Sequence, residues 1–506
     1  MTLGDFKSSP WARSHPVYRS SALAVAPAPE YANSEVLVAG LYRTIGLEGI
    51  AESVVPGNGR ELDRNVARAR DREQRPEGAA LEGDAMWALL HDVLESPKLQ
   101  NQSAKRFLQV SPLVGETAWF SGSARLAGNP WPAGSLVRRM VWLGSADEPS
   151  AKISWQALFD TLAVHDDDDV FARFLRDELA AWTGHPWGQG CIFPRVEDVQ
   201  QLPAGELDGR AFPAHQFVED LAAVVAAKPL MTRRQWTSLL EALIRMAAVA
   251  HVAWLCEVQK LTWACLRSAL SGAAVPGDLR ARIYPERLSY LNYGTGAVSE
   301  LKDRTSTYLR ARLGINAVLW SLEDAGVPYE GQLSSAEDVA ALCSHVLAHR
   351  GKLSSVTGDV DDLAEGEARA LLCRKGIGSN VMEFARHVLY QRVAANPILR
   401  GYDQGYVLRK RGPSKSSPWI CAPGPLAVLV LVHCSLAGLA GPRSVHRLAQ
   451  HMAAYGINVD HRDIARNDLG HQLRMLGLVL DSPDAESGML LVSPFPAARS
   501  HGDRER

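Results

Sequence analysis

The chain has 506 residues, 46% hydrophobic and 22% charged, with a formal net charge of −2. That length is too great for one core and predicts roughly two to four domains, and the composition excludes a chain dominated by disorder. A charge so close to zero excludes non-specific coating of nucleic acid, though not a local basic face.

Seven cysteines are scattered as Cys191, Cys256, Cys265, Cys343, Cys373, Cys421 and Cys434. Their odd number and the lack of any C-x-x-C pair argue against a zinc ribbon and against a secreted disulfide scaffold. Buried free thiols in a reducing cytoplasm are expected. The opening MTLGDFKSSPWARSHPVYRSS has no apolar signal segment. The longest apolar run, Pro425 to Gly441, is shorter than the about 20 residues a membrane span needs, so it reads as a buried helix and no membrane role is expected.

In chain order, residues 1–84 read as an irregular region followed by a charged linker. The stretch Pro56 to Asp84 is almost free of large apolar side chains. Helical spacing begins at Ala85, where AMWALLHDVLES aligns Met86, Leu89, Leu90, Val93 and Leu94. LVRRMVWLG fits a strand or a helix, and SWQALFDTLAVH and DVFARFLRDELAAW fit amphipathic helices. Thr232 to Gly272 is the longest helical pattern. It is apolar nearly all round and belongs in the middle of a large domain. Further helices follow, with Ser299 and Ser335 as expected N-caps and Gly326 and Gly351 as expected stops. No fixed-period repeat is present. Residues 85–397 are therefore read as a helical body.

The texture changes after Pro397, which marks a third unit, 398–506. GYVLRKR and SPWICA read as two short strands around a basic loop, Arg409 to Lys415. PLAVLVLVHCSLAGLA is a first helix. PRSVHRLAQHMAAYG is a second, with Pro442 near its first turn and Gly456 at its stop. Asp460 is the expected N-cap of a third helix, HRDIARNDLGHQLRMLG, and LVLDSPDAESGMLLVSPF supplies strand, turn and strand. This order resembles a winged helix-turn-helix domain. The expected fold class is mainly α: a multi-domain helical body with a C-terminal winged-helix-like domain containing a small β-hairpin. The helical architecture as a whole is similar to large helical subunits of bacterial anti-phage defence operons.

The case for DNA rests on the third helix. Leu469, Leu473 and Leu476 share one face, and Asp463, Arg466, Asn467, Gly470, His471 and Arg474 fall toward the other. Arg and Asn are the side chains that read guanine and adenine edges in the major groove. Arg466, Asn467, His471 and Arg474 are the candidate readers, and Arg409, Lys410, Arg411 and Lys415 the candidate phosphate holders. Asp463 and Asp468 on the helix, and Asp481, Asp484 and Glu486 around the wing, repel phosphate. They favour the rival reading, a protein-interaction module that docks a partner subunit.

No catalytic signature emerges. HDDDDVF, His165 to Phe171, lacks the spaced ligands and glycine hinge of a calcium loop and reads as helix-capping acid. Asp278, Glu300 and Lys302 can be aligned with a D…ExK nuclease pattern, but that site needs its E-x-K on a strand. HRGKLSS lacks the upstream glycine of a phosphate loop, and KGIGSN reads as a helix start capped by Ser379. Cys191 in HPWGQGC has no identifiable base, and His251, His345, His349 and His387 stand singly. The sequence therefore predicts no cofactor, no metal and no catalytic residue. It predicts a non-catalytic DNA-binding or scaffolding subunit of a larger complex, with duplex DNA and partner subunits as ligands. A metal-dependent nuclease is the enzymatic alternative.

Overall fold

The computed structural model describes residues 2–25, 37–46, 75–93, 113–119, 133–184, 186–188, 200–392, 401–414, 416–439, 441–481 and 489–495, and it is mainly helical. Labels are given to the elements used below. In the body these are α1 (Leu37–Gly46), α2 (Ala133–Gly144), α3 (Glu148–Leu162), α4 (Val170–Thr183), α5 (Pro213–Ala226), α6 (Arg233–Leu270), α7 (Val298–Asp324), α8 (Ala336–Ala348) and α9 (Gly376–Leu389).

The long apolar run forms α6, 38 residues and about 57 Å at 1.5 Å per residue. Thr232 and Gln235 close a capping box at its start. Helices α5, α7, α8 and α10 (Pro425–Ser435) pack around it. It is long and apolar enough to cross a bilayer, yet its apolar window is entirely buried in the protein, as the core helix of a large domain requires. Burial on every side also brings charges inside, and each is answered. Arg233 pairs with Asp168 at 3.2 Å, Glu241 with Arg392 at 2.9 Å and Arg245 with Asp403 at 2.6 Å.

Several local expectations change. LVRRMVWLG is helical, inside α2. Ser335 caps α8 in a capping box with Asp338, but Ser299 lies one residue inside α7. There the backbone N–H of Ala297 donates to the carbonyl of Trp419, so a strand contact and not a side chain sets the start of the helix. α8 stops at Ala348, and Gly351 falls in a short 3-10 turn beyond it. Ser379 sits within α9, which begins at Gly376 without a side-chain cap. In the acidic run, Asp169 caps α4 and Asp168 is buried against Arg233 and Lys228, a structural use of both carboxylates.

A second, smaller cluster gathers Met86, Leu90, Leu175, Leu179 and Trp182. Glu178 is buried there and accepts from the N–H groups of Ala80 and Leu81 and from the Trp182 indole. The main core runs without interruption from Phe6 to Leu491. Val407, Val430, Leu448 and Leu473 therefore share one apolar cluster with α6.

The C-terminal elements are β2 (Leu408–Lys410), β3 (Trp419–Cys421), α10, β4 (Arg443–Ser444), α11 (Val445–Ala454), β5 (Ile457–Asn458), α12 (His461–Ile464), α13 (Asp468–Met475), β6 (Val479–Asp481) and β7 (Met489–Leu491). β2 and β3 form the expected antiparallel hairpin. β4, β7 and β6 form a three-stranded antiparallel sheet in that order. Two corrections follow. Pro442 precedes a strand, not a helix, because Arg443 and Ser444 pair with Leu491 and Leu490. The expected third helix is two helices, α12 and α13, with a bend at Ala465 to Asn467.

The connection between α11 and α12 is built into the body. β5 pairs in parallel with β1 (Leu291–Asn292), and the carbonyl of Gly456 accepts from Tyr290 and Leu291. Gly456 has φ +74°, and a Cβ there would lie 2.5 Å from the Tyr290 ring and 2.9 Å from Leu288. The expected result for Gly456→Ala is a loss of about 2–4 kcal/mol, summing left-handed strain and overpacking. Urea denaturation measures it. A loss below about 0.5 kcal/mol, the range of neutral surface changes, would show that this turn is not locked.

Candidate nucleic-acid interface

Helix α13 is positioned by its first turn. The Asn467 side-chain oxygen accepts from the N–H groups of Leu469 at 2.9 Å and Gly470 at 3.2 Å. Gly470 packs on the backbone of α12, where a Cβ would meet the Ile464 carbonyl at 1.9 Å. Leu469 and Leu473 are buried, and Asp468, His471, Arg474 and Met475 face solvent. The sequence reading therefore holds for the leucine face and for four of the residues opposite it, Asp463, Arg466, His471 and Arg474. It is corrected at Asn467, whose oxygen is engaged as a cap, and at Gly470, which is buried.

The structure brings the two predicted groups of basic residues together. Arg409 on β2 donates to Asp468 at 2.7 Å, which holds the hairpin against the first turn of α13. Arg411 is exposed just beyond. Lys410 lies 5.6 Å over the Trp419 ring, and that ring stacks on Tyr390 at 3.6 Å. Lys415, Asp484 and Glu486 lie outside the described residues. Arg466 is exposed at the bend, and its guanidinium makes no hydrogen bond or ion pair among the described residues. Arg474 instead runs back along the helix pair and donates to the Ala465 carbonyl at 3.1 Å.

Residues 401–481 carry nine Lys and Arg against five Asp and no Glu. Two of those Asp are already answered, Asp403 by Arg245 and Asp468 by Arg409. This segment is thus net basic on a chain whose total charge is slightly negative.

Two further contacts tie this unit to the body. Asp220 of α5 is buried; it accepts from the Tyr455 hydroxyl at 2.6 Å and from Gln216 at 3.0 Å, with His451 at 3.0 Å. Tyr293 of the body lies by the first turn of α13, and burial together with the Asp468 charge pushes its hydroxyl up to about 12.

Asp278, Glu300 and Lys302 are not arranged as the D…ExK pattern requires. Asp278 caps a short helix by accepting from the Ala281 N–H at 3.1 Å. Glu300 and Lys302 both lie in α7, two residues apart, which turns them toward opposite sides of the helix. Among the described residues, no group of three His, Cys, Asp or Glu side chains is arranged to hold a metal ion. His251 is fully buried on α6, and burial lowers its pKa to about 3. His345 bonds the Val327 carbonyl, and His387 pairs with Glu383. Cys191 lies outside the described residues.

No family model, curated protein or solved structure matches this chain.

Proposed function

We propose that residues 425–495 form a winged helix that binds duplex DNA, and that the helical body scaffolds it within a larger assembly. The order helix, strand, helix, strand, two helices, strand, strand supports the winged-helix reading, β5 being a two-residue strand that pairs with the body. So does the sheet order β4-β7-β6, with the wing between β6 and β7. The observation that carries the DNA reading is the Arg409–Asp468 pair. It places a basic hairpin at the start of the solvent-facing helix and neutralises the carboxylate that would most oppose a phosphate there. A large helical body around such a module fits a complex subunit.

The test is duplex binding by the full chain across a salt series. The whole chain is needed because α10 is apolar nearly all round and packs on α5 and α6. The expected result is binding that weakens with salt at a log–log slope of about −0.9 per phosphate contact. Absence of binding at low salt would overturn the reading. The second reading, docking of a partner protein, is favoured by one observation: Met475 and Leu480 are 73% and 52% exposed on α13 and β6.

A further inference from the structure

A cleft of about 1210 Å³ separates α11 and the bend before α13 from two body loops, around Arg210 and around Arg287. A second cavity of about 430 Å³ lies between the 143–146 and 202–212 segments of the body. The two adjoin, sharing Arg210, Ala211 and Ala454 in their walls, and are taken together as a trench. The larger part alone exceeds the roughly 300–1,000 Å³ of a small-molecule site.

The floor of the trench is a single stripe of α11. His446, Ala449, Gln450 and Ala453 follow the i, i+3, i+4, i+7 spacing, and the two alanines let a backbone approach closely. Six carboxylates line the trench against three arginines. Glu286 is paired with Arg210 at 3.3 Å and Asp468 with Arg409 at 2.7 Å, which leaves Glu206, Asp208, Asp460 and Asp463 against Arg287 and Arg466. Asp208 lines the smaller cavity, and Asp460 and Asp463 line the larger. Amide groups suited to a polypeptide backbone are also present. Asn458, which lines the larger cavity, donates its side-chain N–H groups to Ser289 at 2.6 Å and to Asn292 at 3.1 Å, so the capacity left on its side chain is that of an acceptor.

We infer that this trench binds an extended, lysine- and arginine-bearing segment of a partner protein. Its length and small-residue floor suit an extended chain. Its surplus of carboxylates complements a cationic one and repels the phosphates of a nucleic acid. The trench meets the proposed DNA face at the bend, where Arg466 and Asp468 line both, whereas Gln450 and Asp208 belong to the trench and not to that face. On this arrangement one chain presents a basic face to DNA and an acidic trench to protein.

The experiment pans a random-peptide display library on the full-length protein and measures the selected peptides by fluorescence anisotropy. Gln450→Trp fills the floor of the larger cavity from an exposed position. Asp463→Lys and Asp208→Lys reverse the charge in the larger and the smaller cavity, also at exposed positions. Circular dichroism checks that each variant is folded. The expected result is enrichment of Lys- and Arg-rich peptides whose affinity falls about tenfold, near 1.4 kcal/mol, in each variant. Duplex DNA binding is expected to be unchanged in Gln450→Trp. Failure to enrich any peptide, enrichment of acidic peptides, or affinities indifferent to Gln450→Trp would each overturn the inference. A nucleic-acid occupant would reveal itself as DNA binding weakened by Gln450→Trp, and would overturn it too.

Discussion

Arg245→Ala is expected to lower the unfolding free energy by about 3–5 kcal/mol, the cost of leaving a buried charge without its partner. Arg245 is fully buried on α6. Its guanidinium donates to Asp403 at 2.6 Å, to the Val388 carbonyl at 2.6 Å and to the Tyr390 carbonyl at 2.5 Å. The same Asp403 accepts from the backbone N–H of Arg392 at 2.7 Å, and Arg392 in turn bonds Glu241. This network clamps the chain where it passes from the body to the C-terminal unit. Losing Arg245 would leave two carbonyls without this donor in the core and Asp403 held by backbone N–H groups alone, those of Arg392 and Gly405. Urea denaturation at neutral pH measures the effect. A loss under about 1 kcal/mol would mean that the site rehydrates or relaxes.

The same pair sets an acid limit. Burial disfavours the charge on Asp403, but the guanidinium groups of Arg245 and Arg392 outweigh burial and hold the carboxyl below its ordinary 3.8. A lowered folded-state pKa contributes stability that is fully present above the unfolded value. That stability is lost as pH falls through the folded value. The gap between the wild type and Asp403→Asn should therefore be constant near neutrality and close below about pH 4.

The second large effect is on DNA affinity. The double variant Arg411→Ala, Arg466→Ala should weaken duplex binding by about 1–3 kcal/mol and make the salt slope shallower by about two. Both side chains are exposed, and neither guanidinium makes a hydrogen bond among the described residues, so stability should be little changed. Asp468→Asn should act in the opposite sense. It removes a carboxylate from the first turn of α13 and releases Arg409 toward phosphate. A double variant that binds DNA as the parent does would leave the exposed Met475 and Leu480 as the more informative feature of this face, and with them the protein-docking reading.

The elements legible in the sequence are those whose cause is local. The core helix α6 follows from an apolar run too continuous for a surface. The Ser335 and Asp460 caps follow from side-chain oxygens that reach the next backbone N–H groups. The β2–β3 hairpin and the buried leucine face of α13 follow from alternation and from helical spacing. What only the tertiary structure decided is what joins distant residues. The two-residue strands β1, β4 and β5 have no period to detect and exist because partners far along the chain pair with them. Asn467 became a cap, and not an exposed reader, because the chain bends ahead of α13. The Arg409–Asp468 pair and the trench along α11 bring together residues that no local pattern relates. Local propensity is written in neighbouring side chains, whereas charge pairing and cavity shape arise only when the buried core of α6 has drawn those segments together.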